Sequence, residues 1–171
     1  MIKDMNRRGF TITELLIVIT IMTILLVLGV VNLRSSQQNG RDIERKTDLE
    51  TIASHLETYY TSGSDASISI GNYPSTDLVA SSSSMTNFLR DVDTQSLIAP
   101  GKTDPTQTFI PATNALEGTG NVTPTPDYDH YIYQPLTSSN TLCTASAACV
   151  RFNLFTKLED NSIYKVTSKN R

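Results

Sequence analysis

From Phe10 to Leu33 the chain reads FTITELLIVITIMTILLVLGVVNL, an almost unbroken apolar run, after which its pattern changes. Between Leu15 and Leu33 lie 19 residues without a charge, and only Thr20, Thr23 and Asn32 among them are strongly polar. As a helix this stretch spans ~28 Å, close to the thickness of a bilayer hydrocarbon core. A cleavable secretory signal has a shorter apolar region and leaves through small residues, for which Leu28-Gly29-Val30-Val31-Asn32-Leu33 is a poor match. A core helix of this length is rarely uncharged on every side. The pattern predicts a membrane-spanning helix.

Beyond Leu33 the spacing becomes one-sided. Leu49, Ile52, Ala53, Leu56, Tyr59 and Tyr60 recur at i, i+3, i+4, i+7, i+10 and i+11, the signature of an amphipathic helix. The other side carries Arg41, Asp42, Glu44, Arg45, Lys46, Asp48 and Glu50, and is expected to be a solvated face whose exposed pairs contribute little. Gly63 is the expected terminator and Gly40 the expected bend. One helix from Phe10 to about Thr61 would be ~78 Å long.

Charge fixes the direction of insertion. Lys3, Arg7 and Arg8 against Asp4 leave residues 1–9 at +2, while the whole chain of 171 residues is at −3. The positive-inside bias puts residues 1–9 in the cytoplasm and everything after Leu33 outside. The acidic balance gives no drive towards nucleic acid, and no direct nucleic-acid binding is inferred. With 18 Ser and 23 Thr against 18% charged residues, the surface is polar chiefly through hydroxyls. Glu14, five residues into the apolar run, costs energy in lipid; it either snorkels to the interface or meets a cation inside an assembly.

Arg7-Arg8-Gly9-Phe10-Thr11-Ile12-Thr13-Glu14-Leu15-Leu16 resembles the class III signal of type IV prepilins and pseudopilins. The resemblance implies that a prepilin peptidase cuts after Gly9 and methylates the new N-terminal Phe10. It implies too that Glu14 is the carboxylate buried on assembly, pairing with the Phe10 amine of a neighbouring subunit. Such a pair specifies register even where it adds little stability, because a misplaced subunit leaves a charge unpaired. The contact is head to tail and grows as an open helical filament. The sequence departs from many pilins at Val31, where those carry a kink-forming proline.

Residues 63–127 are rich in Ser, Thr, Gly and Pro and read as a variable loop region. A short helix from Met85 to Val92 is expected, capped by Ser84, with Ser81–Ser84 and Thr123–Pro126 as surface loops. Residues 128–171 read as antiparallel strands. Tyr128–Gln134 alternates with Tyr131 and Tyr133 on one face, and Val150, Phe152, Leu154, Thr156 and Leu158 alternate in the next strand. Glu159-Asp160-Asn161 is a turn leading into Ser162–Val166, giving a C-terminal hairpin. Cys143 and Cys149 flank the loop entering the middle strand; outside the membrane they are expected to form a disulfide, with two free thiols as the alternative.

No enzyme signature is present: His55 and His130 stand in no H-E-x-x-H pattern, and G-x-S-x-G, P-loop and Rossmann motifs are absent. No catalytic residue, cofactor or metal site is assigned. Asp104, Asp127 and Asp129 offer oxygen ligands in the region where some pseudopilins bind calcium, but turn carboxylates are the commoner reading.

The expected fold is α+β and pilin-like. One long N-terminal helix, transmembrane over 10–33 and amphipathic over 34–62, packs on a small antiparallel sheet behind a leader of residues 1–9. The expected function is that of a type IV pilus subunit. Its partners are copies of itself or other pilins, the prepilin peptidase/methyltransferase, the inner-membrane assembly platform and the membrane. It is a single-pass inner-membrane protein before assembly and extracellular afterwards. The alternatives are a pseudopilin of a type II secretion system and a solitary membrane-anchored binding domain.

Overall fold

A computed structural model describes residues 9–63, 70–80, 89, 91–116, 118, 120–144 and 148–170. The leader up to residue 8 lies outside the described residues, as do Ser81–Ser84 and most of the expected Met85–Val92 helix, of which Leu89 and Val92 are described and buried.

Helix α1 runs from Ile12 to Ser62 and continues through Gly40 without interruption. The chain nevertheless divides into two compact units, Met1–Asn39 and Gly40–Arg171, the first holding the apolar half of α1. Gly63 ends the helix in the left-handed region at φ 72°, donating its N–H to Tyr59 O at 2.8 Å. A side chain there would be strained, so glycine suits the position.

The second unit is built on a sheet of four strands: β1 Phe109–Pro111, β2 Tyr131–Leu136, β3 Arg151–Lys157 and β4 Ile163–Thr167, ordered β1-β2-β3-β4. β2, β3 and β4 are antiparallel neighbours, whereas β1 pairs parallel to β2, opposing Phe109 to Tyr131. The expected antiparallel sheet is thus mixed at one edge. β1 is three residues long inside a Pro- and Thr-rich stretch, too short to show an alternation, and Pro111 is tolerated because an edge strand can spare an N–H. Two short helices, α2 Thr76–Ala80 and α3 Pro105–Thr108, and a 3-10 turn at Thr94–Leu97 fill the connections.

The larger core lies between the outer half of α1 and one face of the sheet. Leu49, Ile52, Ala53 and Leu56 meet Tyr131, Tyr133, Phe152 and Leu154, the residues that the two periodicities select. Each large side chain buried there contributes ~1.5–3 kcal/mol relative to exposure. Two of the tyrosine hydroxyls find partners here: Tyr73 donates to Glu57 at 3.0 Å and Tyr133 to Pro74 O at 2.7 Å. The opposite face forms a second core, where Ile132 and Phe155 are covered by Ala112 and Val122 from the connection after β1. All six residues of β2 are therefore buried. On this second face a polar rung links β2 to β3, Asn153 Nδ2 donating to Gln134 Oε1 at 2.8 Å.

The charged side of α1 is not simply solvated. Glu44, Lys46 and Glu50 are exposed as expected, but Arg45 is 2% and Asp48 7% exposed. The turn between β3 and β4 lies over this part of the helix and brings the partners. Arg45 Nη1 stands 3.0 Å from Asp42 and 3.4 Å from Glu159, and its Nε donates to Tyr128 O at 3.2 Å. Arg41 Nε reaches Glu159 at 2.8 Å, and that guanidinium holds the Glu159 carboxyl below the usual glutamate range.

Cys143 and Cys149 are joined, both essentially inaccessible within the larger core. Their carbonyls accept N–H bonds from Thr76 at 3.1 Å and Tyr73 at 2.7 Å. The bridge thus lies beneath the segment that follows α1, and holds it against the connection between β2 and β3.

Candidate functional site

The candidate site is the start of α1. Gly9 and Phe10 precede the helix in exposed, non-helical chain, and Phe10 is 82% exposed. A Cβ built on Gly9 would meet no atom within 4 Å, so no packing among the described residues requires glycine there. Thr11 caps the helix. Its Oγ1 accepts from Glu14 N–H at 3.2 Å, while Glu14 Oε2 accepts from Thr11 N–H at 2.9 Å and Thr11 Oγ1 at 2.8 Å. This is a reciprocal capping box, in which two donors at the helix start are satisfied by side chains three residues apart. The carboxylate also sits at the positive end of the helix dipole. Glu14 therefore has an intramolecular role that its position in an apolar run does not suggest. The motif is legible as Thr11-x-x-Glu14 once the helix start is known.

Over residues 10–33 the large apolar side chains that are described face outward: Leu15, Leu16, Ile19, Leu25, Leu28 and Leu33 are each more than half exposed. The window that makes the helix apolar enough to cross a membrane has no part buried in the chain itself. The hydroxyls within it are internally satisfied, Thr20 donating to Leu16 O at 2.7 Å and Thr23 to Ile19 O. Satisfied donors are what hydrocarbon requires.

Residues 4–30 match the prokaryotic N-terminal methylation motif. The chain carries a prepilin-type signal. The matched span contains Gly9, Phe10, Thr11 and Glu14, and it implies the prepilin-processing machinery as a partner. Prepilin-type proteins are structural rather than catalytic, and the signal together with the uncovered apolar helix fits a membrane-anchored precursor. No curated protein and no solved structure matches the chain.

The carboxylates considered for calcium are engaged in local structure. Asp104 Oδ1 accepts from Thr106 N–H at 2.9 Å and caps α3. Asp127 Oδ1 accepts from Asp129 N–H at 2.9 Å and lies 2.6 Å from His130 Nδ1, and Asp129 pairs with Lys102 at 2.8 Å. Among the described residues no three of His, Cys, Asp and Glu gather to hold a metal ion.

Proposed function

We propose that this protein is the structural subunit of a type IV pilus, cleaved after Gly9 and N-methylated at Phe10. The mature subunit polymerises through the apolar half of α1, residues 10–33, with copies of itself or with other pilins. The inner-membrane assembly platform draws it from the membrane into an extracellular filament, and the unit from Gly40 onward forms the filament's surface. What supports this reading is a single imbalance. The second unit encloses two cores of its own, while the first buries none of its apolar window. Lipid covers such a surface before assembly, and neighbouring helices of the same kind cover it afterwards.

Glu14 supplies the register. Both of its capping bonds fall on Oε2, so Oε1 is the oxygen offered to the Phe10 amine of a neighbour. Methylation keeps that amine positive and preserves the pairing. Substituting Glu14→Ala removes one member of that proposed pair while making the segment more apolar. The variant should insert in the membrane at normal levels yet yield few or no filaments sheared from cells. Filaments as abundant as in the wild type would exclude the pairing; in a solitary anchored domain the loss of Glu14 would affect only the capping box at the start of α1.

A further inference from the structure

Asp48 is the buried carboxylate of α1, 7% exposed, with the Tyr131 hydroxyl donating to its Oδ2 at 2.6 Å. The bond links the helix to β2 across 83 positions of sequence. The charged groups acting on this pair are Glu44 and Arg45 on α1 and Asp93, the residue capping the 3-10 turn. Glu44 and Asp93 are like charges. Arg45 is committed one turn away to Asp42, Glu159 and Tyr128 O. Among the described residues the carboxylate thus sits in the contact with a neutral donor and no dedicated cation, an arrangement that disfavours its charged form.

We propose that the contact between α1 and β2 at Asp48 is a proton-sensitive latch, closed most firmly when the buried carboxyl is protonated and no charge is held in the core. Burial, the larger cause, and the charges of Glu44 and Asp93 push the Asp48 carboxyl up to about 6, against the lowering effect of the Tyr131 bond. A carboxyl whose folded value lies above its unfolded one contributes stability that is complete below the unfolded value and is lost as pH rises through the folded one. The window therefore runs from about 4 to about 6. In that window the second unit grips its helix more tightly in acid. This inference concerns the second unit alone and stands whether or not the protein forms filaments.

The test is hydrogen exchange on the full chain in detergent micelles, corrected for intrinsic rates and read at amides 48–52 and 131–133. In the wild type the opening equilibrium should rise roughly tenfold between pH 5 and pH 7, as one proton is released with a shift of this size. Asp48→Asn keeps an acceptor for Tyr131 without a charge and should lose that rise; an equal rise in both proteins would overturn the latch. Tyr131→Phe provides the second arm. It removes the bond that favours the ionised form, so the transition should move to higher pH, and an unmoved transition would refute the pairing.

Discussion

The backbone N–H of Glu159 donates to both carboxylate oxygens of Asp42, at 3.0 and 3.2 Å, across 117 positions of sequence. This contact locks the turn after β3 onto the first helical turns of the second unit. It also fixes the Glu159 carboxylate against Arg41 and Arg45, so helix and sheet are joined by ions as well as by apolar packing.

Asp42→Ala should therefore be costly for a partly exposed aspartate. It deletes two hydrogen bonds and the nearer partner of a buried guanidinium, for a loss of about 2–3 kcal/mol. Denaturant unfolding of the full chain in micelles measures it. Glu50→Ala, which breaks an exposed bond from the Tyr164 hydroxyl, serves as the control at about 0.5 kcal/mol. Equal effects of the two would show that the clamp does not hold the fold.

The same clamp responds to acid in the opposite sense to Asp48. Arg41 depresses the Glu159 carboxyl, so its contribution is present above the unfolded value and disappears as pH falls through the folded one. Stability should drop below about pH 4.3, the ordinary glutamate value. Glu159→Gln should be less stable at neutral pH and should show a shallower acid limb; an unchanged limb would assign acid sensitivity elsewhere.

Non-reducing peptide mapping should recover Cys143 and Cys149 as one linked peptide. Closing so short a loop restricts the unfolded chain by on the order of 2 kcal/mol, and the double Cys→Ser variant should lose about that much. Because Tyr73 and Thr76 donate to the cysteine carbonyls, the amides of these two residues should lose protection first. Protection retained at both would separate the bridge from the segment above it.

Co-expression with a prepilin peptidase should give a mature chain that begins at methylated Phe10 by intact mass. Gly9→Val should block the cut. Among the described residues a Cβ at Gly9 meets nothing within 4 Å, so the substitution reports on the peptidase's fit. A mature start after Gly29 would sink the assignment.

Thr11→Val removes the hydroxyl of the capping box while keeping its shape, and should fray the start of α1 at a cost of about 1 kcal/mol. Thr11→Ser should restore it. Faster exchange at the Glu14 amide, which donates to Thr11 Oγ1, is the direct readout, and equal protection in all three chains would refute the cap.

The sequence by itself determined whatever depends on neighbours along the chain. An uncharged run of sufficient length marks a helix apolar and long enough to cross a membrane without reference to any other element. The Gly9-Phe10 and Glu14 signal is local, and so is the 3.6-residue spacing that places Leu49, Ile52 and Leu56 on one stripe. Alternation likewise exposed Tyr131 and Tyr133 as one face, because side chains in a strand alternate whatever they pack against. Only tertiary structure decided the rest. Arg45 and Asp48 read as surface charges until a turn more than a hundred positions away, and Tyr131 on β2, are brought over them. β1 is too short to carry a period and exists as a strand because β2 offers it a partner. The second core needs the connection after β1 folded onto the far face of the sheet. Periodicity reports which side of an element is apolar, but the identity of what covers that side is a property of long-range contacts, which no local pattern encodes.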